Sequence, residues 1–101
     1  MNSKKIKIIP ADTFLKRFKG LMMKNNFDTA MLFSNIADSS VHTCFMRFDI
    51  DVYFLDDEKK VIEKVTLKPW KFYKSKNKVE FILETKKDFL DLKIGDVLEF
   101  I

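Results

Sequence analysis

Val41-His42-Thr43-Cys44-Phe45-Met46-Arg47-Phe48-Asp49-Ile50-Asp51-Val52-Tyr53-Phe54-Leu55 is dense in β-branched and aromatic residues and ends in the polar run Asp56-Asp57-Glu58-Lys59. Such side chains suit the pleated, half-buried surface of a strand, and the acidic run is turn chemistry. Val61-Ile62-Glu63-Lys64-Val65-Thr66-Leu67 follows at once and is the natural antiparallel partner, so the sequence predicts a hairpin at the centre of the chain.

Other strands are read outward from that hairpin. Towards the amino end, Thr29-Ala30-Met31-Leu32-Phe33 is a short apolar run read as a strand. Lys5-Ile6-Lys7-Ile8-Ile9 alternates and meets the breaker Pro10. Between them, Asp12 or Thr13 can cap a short helix carrying Phe14, Leu15 and Phe18 on one face, with Gly20 as its stop. Towards the carboxyl end, Lys78–Glu84 alternates as a strand, and Lys86–Leu92 has room for one or two helical turns. Gly95-Asp96 then turns the chain into Val97–Ile101. Six or seven short strands joined by polar turns, with no alternating strand–helix rhythm, predict a mainly β fold, α+β at its margin. The expected architecture is a single compact domain over residues 1–101, a mostly antiparallel barrel-like or sandwich structure with one or two short helices.

Composition agrees. Hydrophobic residues make up 47% of the 101 and eleven are Phe, each worth roughly 1.5–3 kcal/mol when removed from water. That supply can offset the entropy of ordering a domain of this size. No apolar run approaches the roughly 20 residues of a membrane-spanning helix. No signal-peptide core follows Lys4 and Lys5, and Cys44 is the single cysteine, so the expected setting is cytoplasmic. A net charge of +4 is mild and on its own favours solubility over a nucleic-acid partner.

The central run also resembles the signature of the domain of unknown function 192 family, written roughly V-H-T-x-x-M-R-F-P-I-D-V. His42, Thr43, Met46, Arg47, Phe48, Ile50 and Asp51 fall at its spacing. Arg17-Phe18-Lys19-Gly20-Leu21-Met22 is similar to the family's R-x-x-G-L-M, and Lys68-Pro69-Trp70-Lys71 to its P-W-R/K. Leu83-Glu84 and Gly95-Asp96 are similar to its L-E and G-D. Asp49 stands where proline is usual, and Thr85-Lys86-Lys87-Asp88 lacks the glycine-containing turn that normally follows L-E. The resemblance implies a compact, mostly β domain with minor helix. It implies no established activity, so function has to be argued from sites.

The candidate binding residues are His42, Thr43, Arg47 and Asp51, with Trp70 at their margin. They are polar groups gathered in an otherwise apolar stretch. If residues 41–47 form a strand, His42, Cys44 and Met46 share one face, and Thr43, Phe45 and Arg47 the other. Arg47 and Asp51 are most economically an ion pair fixing a loop; the functional alternative is an anion held by Arg47 and oriented by Asp51. His42 is the one side chain with a reference pKa near about 6.5, and an enzyme would need it to converge with an acid or thiol in a pocket. Cys44, beside it in sequence, reads as inert packing. One His, one Cys and scattered carboxylates give no metal-ligand spacing, and no glycine-rich phosphate loop or cofactor motif exists.

Residues 64–79 hold Lys64, Lys68, Lys71, Lys74, Lys76 and Lys78 with no acidic residue, interleaved with Trp70, Phe72 and Tyr73. The bland account is a lysine-blunted strand edge. Basic groups beside aromatics are also what single-stranded nucleic acid uses, and that reading requires the rings to be exposed. The sequence thus favours a non-enzymatic module that binds a small anionic ligand or a protein partner. Nucleic-acid binding through residues 64–79 is the first alternative, and an enzyme with His42 as acid or base the second.

Overall fold

The computed structural model describes residues 3–6, 8–10, 30–34, 40–42 and 48–100, with the backbone alone at 3–6, 8–10, Ser34 and His42. The strands are β1 (Ser3–Ile6), β2 (Ile8–Pro10), β3 (Ala30–Ser34), β4 (Ser40–His42), β5 (Ile50–Leu55), β6 (Val61–Leu67), β7 (Phe72–Lys74), β8 (Phe81–Lys86) and β9 (Val97–Phe100). A five-stranded sheet runs in the order β2-β3-β8-β5-β6, and two ribbons, β1-β9 and β4-β7, accompany it. The sheet is open, with β2 and β6 at its edges, so the sandwich side of the expectation describes it and a closed barrel does not.

The expected hairpin is present. β5 and β6 pair antiparallel from Ile50–Leu67 to Leu55–Val61, with a register shift after Phe54. Asp56 builds the turn: its Oδ1 accepts from the Glu58 and Lys60 amides, both at 2.9 Å, and Lys59 takes the left-handed conformation at φ 62°. This is the local hydrogen bonding that suits Asp to turns. The outer flank of β5 pairs antiparallel with β8, and β8 with β3. Two parallel pairs, β1-β9 and β2-β3, join these antiparallel ones. Pro10 ends β2 at the sheet edge, where a missing N–H costs no ladder bond.

All six β5 residues are buried, because both faces of the sheet are covered. On one face Ala30, Leu32, Tyr53, Leu55, Val61 and Leu83 pack with Leu92, Leu98 and Phe100, so the β1-β9 ribbon lies over it. On the other, Met31, Ile50, Val52, Phe54, Leu67 and Ile82 pack with Val41 and Tyr73, which belong to the β4-β7 ribbon. Alternation along β5 therefore sends Ile50, Val52 and Phe54 to the β4-β7 side, and Asp51, Tyr53 and Leu55 to the β1-β9 side.

The segment Lys86–Leu92 forms turns instead of the expected helical ones; among the described residues there is no helix. Three of its backbone groups are tied to residues 49–53. The Lys87 amide donates to the Asp49 carbonyl at 3.1 Å, the Asp88 amide to Asp51 Oδ2 at 3.0 Å, and Tyr53 Oη to the Leu90 carbonyl at 3.1 Å. A helix would have to give up those three bonds. The expected helix at 12–18 and its stop at Gly20 lie outside the described residues.

Gly95 does turn the chain as expected, at φ 99°, and its amide donates to the Val61 carbonyl at 2.8 Å. A Cβ placed there meets nothing within 4 Å, so only the backbone conformation resists substitution. Gly95→Ala should therefore lower unfolding stability by about 1 kcal/mol, measurable by urea titration. A neutral result would mean that the turn relaxes away from its left-handed shape.

Candidate functional site

Two side-chain arrangements emerge from the hairpin and the segment that follows it. The first lies where β6 leads into β7. Lys68-Pro69-Trp70-Lys71 is a tight turn in which Trp70 adopts φ 65°. Pro69 supplies the fixed φ of the position before, but the left-handed position itself favours glycine, and a bulky side chain there costs on the order of 1 kcal/mol or more. Trp70 is nonetheless 61% exposed, and Phe72, first residue of β7, is 69% exposed. Residue 73 alternates inward: the Tyr73 ring lies 5.7 Å from that of Phe54, and its hydroxyl donates to Glu63. Ser75 Oγ and Asn77 Nδ2 donate to the other oxygen of the same carboxylate, at 2.6 and 2.8 Å. Partial burial pushes the Glu63 carboxyl up, but the three donors outweigh it and hold it below the usual carboxylate range. Donating to this carboxylate raises the pKa of the Tyr73 hydroxyl. Glu63 thus staples the 72–77 segment to the sheet, and leaves Phe72 and Lys74 on the outer side of β7. Lys68, Lys71, Lys74, Lys76 and Lys78 are all exposed around this ridge.

The second arrangement lies on and beside β5. Asp51 is 1% exposed, and its Oδ1 accepts from Thr66 Oγ1 at 2.6 Å while Oδ2 takes the Asp88 amide. Tyr53, fully buried next to it, has its hydroxyl pushed up to about 12 by burial and by the carboxylates of Asp51, Asp91 and Asp88. On the opposite face, Glu84 stands between Met31 and Val52 in the register of the sheet, within a row that continues to Val65. Part of the residue reaches the surface, but desolvation of its carboxyl raises the pKa to about 7. Among the described residues no group of three His, Cys, Asp or Glu is placed to hold a metal ion.

The family model of DUF192, described as an uncharacterised group, matches residues 1–100. The chain belongs to the DUF192 family. Curated relatives carry the name UPF0127 protein. The one from Thermococcus sibiricus is 38% identical over 89% of this chain and 63% of its own length, and the one from Thermococcus kodakarensis 42% over 77% and 52%. That from Pyrococcus furiosus is 36% identical over 95% of this chain and 88% of its own. The chain thus spans about half to two thirds of the length of the two Thermococcus relatives. Among solved structures, a protein of unknown function from Novosphingobium aromaticivorans superposes with a TM-score of 0.65 over 94% of this chain and 71% of that one. At 16% identity it shares the fold alone.

In this DUF192 chain the residues singled out from sequence do not all meet. Asp51 faces the β1-β9 side of the sheet, whereas His42 belongs to β4, over the opposite side, and its backbone pairs directly with Phe72. Trp70 lies two residues from that pair. Thr43 and Arg47 lie outside the described residues, as does Cys44. The described strand β4 ends at His42, so the alternation expected through residue 47 is described only for its first two positions. Sequence reading missed the Glu63 staple, and it singled out Glu84 only within the L-E resemblance, not as a desolvated carboxyl. Glu84 did carry a signal: Phe81-Ile82-Leu83 before it is apolar at both parities, which marks a strand covered on both faces. No described helix is long and apolar enough to cross a membrane.

Proposed function

We propose that the protein is a non-enzymatic binding module, a single domain working in the cytoplasm, whose contact surface is the outer side of the β4-β7 ribbon and the turn leading into it. The observation that carries this reading is Trp70: a large aromatic residue, 61% exposed, held in a backbone conformation that disfavours it. Strain kept at an exposed side chain argues for use by a partner more than for stability. Phe72, 69% exposed, and the backbone of His42 opposite it extend the same surface. A small anionic ligand or an acidic protein segment suits the surrounding lysines, and the single Cys44 suits a reducing compartment. Asp51 acts on the structural side, where its two oxygens accept from the Thr66 hydroxyl and the Asp88 amide.

Trp70 is the single tryptophan, so its emission reports on this surface directly. Inorganic phosphate, a mononucleotide, a short glutamate-rich peptide and a short single-stranded oligonucleotide should be titrated in turn. At least one should change the emission saturably and raise the melting temperature. If none does, the contact-surface reading is wrong and the exposed rings are incidental.

A further inference from the structure

We propose that the partner at this surface is single-stranded nucleic acid, with Trp70 and Phe72 stacking on bases while Lys68, Lys71 and Lys74 neutralise phosphates. The proposal rests on the binding-module reading above and names its ligand. Its first support is the alternation along β7. Tyr73 is turned inward to Glu63 and Phe54, so Phe72 and Lys74 share the outer side, an aromatic face and a cation two residues apart on one strand. The second is charge. Residues 68–79 contain five lysines and no acid, Lys64 being turned to the other face over the Tyr53 ring, and the preceding carboxylate, Glu63, is engaged by Tyr73, Ser75 and Asn77. The third is that both Trp70 and Phe72 are more than half exposed. An acidic peptide would be drawn by the lysines but has no flat group for these rings. A nucleic-acid strand offers both a phosphate for the cation and a π-face for the ring, and every base supplies that face, so the surface should tolerate sequence variation.

The test uses fluorescein-labelled oligothymidylate and oligouridylate of about twelve nucleotides, a length within the footprint of small single-strand binders, with a glutamate-rich peptide of equal charge and a duplex as comparators. Expected is saturable binding of the single strands with quenching of Trp70, weakening several-fold between about 50 and 200 mM salt. Similar affinity for the two strands would mean that the backbone sugar is not read; a preference would say which is. Trp70→Ser and Phe72→Ser should each weaken binding about tenfold, the typical worth of one stacked base. Lys71→Glu with Lys74→Glu should flatten the salt dependence and keep the quench of the residual complex. If a serine variant does not fold, as judged by its melting curve, the lysine pair alone decides. Failure of both strands to bind overturns the proposal, as does a salt dependence unchanged in the lysine variant. If the peptide saturates the Trp70 signal and the strands do not, the partner is a protein. The binding-module reading then stands while this inference falls; if nothing binds, both fall.

Discussion

Replacing Glu84 with Gln should make the protein more stable at pH 8, by up to about 3 kcal/mol, and leave its stability near pH 4 almost unchanged. The carboxyl titrates near 4.5 when the chain is open, but at about 7 in the folded protein, where burial disfavours its charge. Below 4.5 it is protonated in both states and makes no difference between them. As the pH rises towards 7 the unfolded chain releases the proton first and gains stability relative to the folded one. The contribution present at low pH is thus lost across that window and stays lost above it. Glutamine has a similar shape and no proton to lose, so it removes the slope. Subtracting the variant's stability from the parent's at each pH, by urea unfolding between pH 4 and 8, cancels the other titrating groups. Parallel curves for the two proteins would show that the Glu84 carboxylate is hydrated in the folded state.

Glu84 also shows where sequence reasoning reaches its limit. That residues 78–84 lead into a strand is legible from alternation alone, and the hairpin of β5 and β6 is legible because Asp56 carries the turn in its own side chain. These are local causes. That a glutamate on β8 stands in one row with Met31 and Val52 depends on which strands flank β8, and the pairing of β3 with β8 joins residues some fifty positions apart. The parallel pairing of β1 with β9 is hidden for the same reason. The segment Lys86–Leu92 carries an acceptable helical composition, and what prevents a helix is a set of partners on Asp49, Asp51 and Tyr53. Tertiary hydrogen bonds override a weak propensity here. In the candidate site, the lysine-aromatic composition of residues 64–79 could be read directly. Which rings face outward could not, because it turns on Glu63 drawing Tyr73 inward.

Asp51→Ala should destabilise the protein by roughly 2–4 kcal/mol, and Asp51→Asn by about 1 kcal/mol. The carboxylate accepts from a hydroxyl on β6 and an amide in the 87–90 turn, so alanine removes two charge-assisted bonds at a fully covered position. Asparagine keeps one: its carbonyl oxygen can take the Asp88 amide, and the Thr66 hydroxyl can reverse to accept from the new NH2 group. The local consequence differs from the global one. Asp88 sits at φ 63°, a left-handed conformation that few side chains other than Asn and Asp tolerate. Without Asp51 the Asp88 amide should exchange its hydrogen much faster, while the Lys87 amide and the Tyr53 hydroxyl still tether the turn at either side. Measuring stability and exchange in both variants separates two roles for this residue. If Asp51 acts as a hydrogen-bonding clamp, asparagine preserves most of the stability and a good part of the Asp88 protection. If its charge is what matters, as in an ion pair with Arg47, asparagine should cost as much as alanine. In that case Arg47→Ala should cost a similar amount, and the double variant should add little to either.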